Sequence, residues 1–290
     1  MRITEHRMMR MISGSLSRAR TDISKASQEL SSGVRVSRPS DDLAAWSEGT
    51  RAQARKQLSE AHRSAFSLSR ELLTETERQL ETMGDQVQTG LALALQYANG
   101  SYNATDRAQG AEDIRILRDR FLAAINGKGH NGEYLFGGSD RTQAPFEANG
   151  VYSSDDIARD LPLEGDRLNA VTITGYRFTS AGGFDIYGAL DQLATALDAN
   201  DQAGIMSAVD DIRRSTELVA STRAEVGIRM TALDDANEAR QALELQLTEI
   251  RANRQGADAF QAAIDLTQGQ NVLEGARVVI QRLSTLFSAA

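Results

Sequence analysis

Residues 9–30, MRMISGSLSRARTDISKASQEL, decide the fold. Met9, Ile12, Leu16, Ala19, Ile23, Ala26 and Leu30 are spaced 3, 4, 3, 4, 3, 4, which keeps one apolar seam along a supercoiling helix. The other end of the chain repeats the device. Ala262, Leu266, Gly269, Leu273, Ala276, Ile280, Leu283 and Phe287 are spaced 4, 3, 4, 3, 4, 3, 4. In each seam one heptad position is large and the other mostly small. Packed in parallel, large would meet large beside voids. Packed antiparallel, large faces small and density is even. The two ends of the chain are therefore expected to pair head beside tail.

Outward from these seams the pattern stays helical. Gly33 follows the last seam residue of the first helix, where a C-cap tolerates the left-handed conformation. Val34 to Pro39 reads as a short extended linker. Ser40-Asp41-Asp42 caps a second helix that runs without proline from Leu43 to about Tyr97, a length of about 80 Å. A third helix is expected from about Asp106 to Ile125. From Asn126 to Phe184 glycines are frequent, both remaining prolines occur, and heptads stop. There Tyr134-Leu135-Phe136, Gly150-Val151-Tyr152 and the alternating run Ala170 to Phe178 read as short strands. Helix resumes from about Ile186 to Asn200, then from about Ala203 to Asn253, and lastly from about Asp258 to Ser288.

The expected fold is mainly α: an elongated bundle of long antiparallel helices with terminal coiled-coil helices and a small β-rich inserted domain. The division is 1–39, an N-terminal heptad helix and linker; 40–126, the first half of a helical rod; 127–184, a β-rich outer insertion; 185–256, the second half of the rod; and 257–290, a C-terminal heptad helix.

Composition narrows the function. The 290 residues contain no cysteine, which removes disulfides, thiolate metal sites and cysteine nucleophiles. Only 5% are aromatic and three are proline, as suits long uninterrupted helices. Net charge is −8, so non-specific nucleic-acid binding is not expected. Residues 1–70 hold 13 Lys/Arg and 7 Asp/Glu; their alternation of sign reads as a solvated helix face. No apolar run of membrane-spanning length is present, and the first residues lack the apolar core and cleavage site of a secretory leader. The expectation is a cytoplasmic chain, or one exported without a cleaved signal peptide, with no membrane insertion.

Candidate chemistry does not assemble. Gly127, Gly129 and Gly132 match G-x-G-x-x-G, but after a helix and before a strand-like segment, the reverse of a dinucleotide site. His6, His62 and His130 stand far apart without paired spacing and read as solvated surface residues. The acidic pairs at 41–42, 155–156, 210–211 and 234–235 read mainly as caps and solvated faces. No nucleophile, base and oxyanion donors converge. Catalytic, cofactor-binding and metal residues are expected to be none, and the chain is expected to be structural.

Several motifs carry a resemblance. Leu30-Ser31-Ser32-Gly33-Val34-Arg35-Val36 with Pro39-Ser40-Asp41-Asp42, Gly132-Glu133-Tyr134-Leu135-Phe136-Gly137-Gly138 with Ala144-Pro145-Phe146, and Arg223-Ala224-Glu225-Val226-Gly227 stand in the order found in the bacterial flagellin superfamily. The opening Met1-Arg2-Ile3-Thr4 and the last thirty residues are also similar to it. Leu43 departs from it, since the family often has proline there. Within that superfamily the chain resembles the hook–filament junction proteins rather than filament flagellin. The resemblance implies a non-enzymatic flagellar part, outside the cell, exported through the flagellar type III channel with an export chaperone. It implies hook-associated protein 1 and flagellin as partners, and self-association in a ring or helical layer. The expected assembly interface is Met9, Ile12, Leu16, Ile23, Leu30, Leu266, Leu273, Ile280, Leu283 and Phe287. The competing readings are filament flagellin, a cytoplasmic coiled-coil scaffold, and an enzyme using the Gly127–Gly132 loop.

Overall fold

The computed structural model describes residues 2–164 and 167–288, with side chains described for 7–161 and 171–282. The chain forms, in order, α1 (Arg2–Ser32), α2 (Leu43–Tyr97), α3 (Ala104–Ile125), β1 (Asp160–Glu164), β2 (Arg167–Ala170), a 3₁₀ turn at Gly175–Phe178, α4 (Ile186–Asp198), α5 (Gln202–Gln255) and α6 (Ala259–Ser288). It divides into two compact units. No helix among the described residues is long and apolar enough to cross a membrane.

The first unit holds residues up to Glu60 and from Gln241 onward. Gly33, at φ +67°, ends α1 and returns its amide to Glu29 O at 2.9 Å, an αL helix exit. The chain then pairs with the α5–α6 turn. Ala257 N donates to Gly33 O at 2.9 Å and Arg35 N to Gln255 O at 2.7 Å. Val36 is buried beneath this crossing. Asp42 is the working cap of α2, its Oδ1 accepting from Ala45 N at 3.0 Å. Asp41 instead folds the linker, its carboxylate accepting from the amides of Ser37 and Arg38. The Arg38 amide leads the bonds that hold the Asp41 carboxyl below its usual range. Here α2 and α5 run antiparallel: Glu48 meets Arg254 at 2.6 Å, Gln53 accepts from Arg251 at 2.8 Å, and Ser59 donates to Glu244 at 3.0 Å.

The second unit, Ala61–Arg240, contains the main core. Leu73, Leu80, Met83 and Val87 of α2 pack with Ile114 and Phe121 of α3, Leu190, Leu193 and Leu197 of α4, and Ile205, Ile212, Val219 and Val226 of α5, all buried. Arg223 binds Glu77 at 2.7 Å and Arg70 pairs with Asp234, which continues the antiparallel order of α2 and α5 within this unit. The third helix begins at Ala104, two residues before the expected Asp106. Asn103 caps it through the amides of Thr105 and Asp106, while Asp106 accepts from the Asn103 amide; the expected start is the N3 residue of a capping box.

The segment between α3 and α4 differs from the expectation of a β-rich insertion. Among the described residues its one ladder is β1 against β2, antiparallel, with Asp160 opposite Ala170 and Leu161 opposite Asn169. The expected strands at 134–136 and 150–152 are single bridges, Lys128 to Tyr134 and Phe146 to Tyr152. Side chains close the backbone there. Asn131, Asp140 and Asn149 each accept the amide two residues on, the local turn that competes with a ladder. The run from Ala170 is a strand only at its first residue. Val171 to Gly175 are all buried, so the polar alternates do not face water. Thr172 accepts from the Arg159 amide at 2.7 Å and Thr174 donates to Asp156. Phe136 and Phe178 meet edge to face at 6.1 Å and tie this segment to the core.

Candidate assembly interface

The expected interface residues fall on α1 and α6, which pack side by side in the first unit. Their direction follows from two fixed points. Gly33 is bonded to Ala257, and ten residues back along α1 Ile23 lies over Gly269. The helices therefore run antiparallel. A Cβ built on Gly269 would come 2.6 Å from Ile23 Cγ1 and 3.6 Å from Ala19 O. This is large against small, and the missing side chain allows the close approach.

Burial along the seam is uneven. Ala19, Ala26, Gly269 and Ala262 are buried. Ile12, Leu16 and Ile23 on α1, and Leu266, Leu273 and Ile280 on α6, are only half-buried. Met9 and Leu30 are exposed, at 55% and 37%. The side chains of Leu283 and Phe287 lie outside the described residues. The pair is thus zipped through its small residues, and its large ones keep apolar surface toward water. Removing such surface from water is worth roughly 25 cal/mol per Å².

Sequence reading missed further apolar surface on the same helices. Met8 and Met11 on α1 and Phe260, Val272, Val278 and Val279 on α6 are exposed, Phe260 at 78%. They fall off the seam, so a search for a single stripe passes over them. The remaining surface of α1 is rich in hydroxyls. Ser13, Ser15, Thr21 and Ser32 each donate to a carbonyl three or four residues back in their own helix. Hydroxyls satisfied in this way cost less to cover than free ones. Arg20, Lys25, Arg35 and Arg38 line a groove beside α1 and give this face its cations.

The glycine-rich loop has no phosphate cradle. Gly127 N donates to Ala124 O, Gly129 N to Glu133 O and Gly132 N to Gly129 O, so the three motif glycines spend their amides inside the turn. His62 is half-buried and His130 exposed; the side chain of His6 lies outside the described residues.

Residues 5–141 match the bacterial flagellin N-terminal helical region. Flagellar hook-associated protein 3 of Escherichia coli is 27% identical over 263 residues, 81% of each chain. Flagellar hook-associated protein 3 of Salmonella typhimurium is 29% identical over 181 residues, 60% of this chain; the match spans 56% of the Salmonella protein's length. Among solved structures, FlgL of Bacillus cereus superposes with a TM-score of 0.60 at 18% identity, covering 69% of this chain and 98% of that one, a likeness of fold. The chain is therefore similar to flagellar hook-associated protein 3, and its residues 5–141 match the bacterial flagellin N-terminal helical region.

Proposed function

We propose that this chain is a structural adaptor of the bacterial flagellum, joining the hook to the flagellin filament. The observation that carries the reading is the α1–α6 pair: small residues buried between the helices, large ones half-exposed along both. An interface of this kind is finished by neighbours. Copies stacked in a layer would cover Leu16, Ile23, Leu273 and Ile280, and folding of the terminal pair would be completed by assembly. Contacts between unlike patches propagate as a ring or open helix. The relatives' name, flagellar hook-associated protein 3, supports flagellar components as partners; in this reading they are hook-associated protein 1 below and flagellin above.

In this reading 1–39 and 257–290 are the assembling ends. Segments 40–126 and 185–256 are the two halves of the helical rod, and 127–184 is its outer insertion, with the β1–β2 ladder and the bridges of the Lys128–Tyr152 region as its β part. The chain travels through the flagellar export channel with a chaperone and works outside the cell. The role is mechanical, without catalysis.

Filament flagellin is the second reading, because the matched family region is named for it. Abundance separates the two. Sheared flagella should contain this chain as a minor band, a few copies per flagellum; a band dominating the gel would make it the filament subunit. Electron microscopy of cells lacking the chain tests the first reading. Hooks without filaments, with flagellin shed into the medium, is the expected result, and normal filaments would refute it.

A further inference from the structure

The turn after α3 and the face of α2 beneath it bring together three metal-ligating side chains. Glu71 and Glu75 stand one helical turn apart on α2, and His130 sits in the Gly127–Gly132 turn. One ligand atom from each lies within 4.8 Å of the others. Glu75 is buried, at 7% exposure. Its Oε1 accepts the His130 amide at 2.9 Å and meets His130 Nδ1 at 2.5 Å. Glu71 and His130 face solvent and leave an open side.

The turn is held in place by its own backbone. Leu135 N donates to Gly127 O at 3.1 Å and Gly129 N to Glu133 O at 2.9 Å, and Gly132 takes φ +78°. Gly129 lets the turn lie directly on the carboxylate, because a Cβ there would come 2.5 Å from Glu75 Oε2. Carboxylates four residues apart on a helix repel. Among the described residues no lysine or arginine pairs with either. The one lysine of the turn, Lys128, points instead at the Tyr134 ring, 4.5 Å from its centroid.

We propose that Glu71, Glu75 and His130 bind one divalent transition-metal ion of the zinc class, which fastens the turn to α2. One imidazole nitrogen and two carboxylate oxygens with an open position form a donor set suited to such an ion, with bonds of about 2.0–2.2 Å. Ligand atoms sharing it stand about 3–3.5 Å apart, so Glu71 must draw in and the 2.5 Å contact of His130 Nδ1 with Glu75 must open to admit the ion. Rotation of the two exposed side chains supplies that movement, while buried Glu75 is the fixed point. The site lies within the second unit and is independent of the flagellar reading, so either stands if the other fails.

The test uses the full chain, freed of metal by chelation and titrated with zinc chloride under calorimetry. One zinc ion per chain is expected. His130→Gln and Glu71→Gln, both at exposed positions, should each weaken binding by about tenfold or more with an unchanged helical circular dichroism spectrum. His62→Gln should bind as the unaltered chain does. Cobalt(II) added in place of zinc should give a visible absorption band that is lost in His130→Gln. Absence of stoichiometric zinc binding would overturn the proposal, and so would equal binding by the unaltered chain and both site variants.

Discussion

Single residues set how closely the helices approach. Gly110 on α3 is packed against Tyr97, the last residue of α2: a Cβ would come 2.3 Å from a ring carbon. The ring cannot swing freely, since Tyr97 is buried and meets Tyr102 edge to face at 5.1 Å. Gly110→Ala gains helix propensity and loses more to overpacking. The net cost should be about 1 kcal/mol, read as a lower denaturant midpoint at unchanged slope. Tyr152 gives a pH dependence. Burial, aided by the nearby carboxylates of Asp156 and Asp155, pushes its phenol up to about 12. A raised folded pKa means the contribution is complete below pH 10 and is lost as pH rises toward 12. Tyr152→Phe should remove that part of the alkaline destabilisation, measured by chemical unfolding at pH 9 and pH 11. Such details were partly hidden in the sequence. His130 could be read as exposed, but its partners Glu71 and Glu75 lie more than fifty residues away and only packing brings them together.

At the scale of elements, periodicity told most. The six helices of the described residues were legible from apolar spacing and the absence of proline, with ends displaced by a residue or two where caps decide. The antiparallel order of α1 and α6 was legible too, since large faces small only one way round. The segment 126–184 was not. Alternation in Val171–Thr174 looks like a half-buried strand, yet both threonines are buried and bonded. Asx turns elsewhere satisfy amides that strands would have shared. The uneven burial of the terminal pair has a dynamic consequence, because elements with few buried apolar contacts open at low free energy. In the purified chain, amides of α1 and α6 should exchange with deuterium well before those of α3, whose Ile114 and Phe121 are buried in the main core. Exchange of α1 and α6 as slow as that of α3 would mean that the pair is already complete without neighbours.

For the whole molecule, the sequence carried the likeness to flagellar proteins and the structure added the surface. Charge, the lack of cysteine and the heptad ends left a structural role as the simplest reading, while the off-seam apolar residues Met8, Met11 and Phe260 became visible only once α1 and α6 were placed together. The central claim is that this pair is completed by adjoining copies at the junction of hook and filament. The most direct measurement is electron microscopy of cells that lack the chain and are supplied with Ile23→Asp or Leu273→Asp. A charge placed on the seam cannot be buried by a neighbour at tolerable cost. Both variants, secreted at normal level, should leave hooks bare of filaments, whereas the unaltered chain restores them. Full-length filaments on cells carrying either variant would contradict the account.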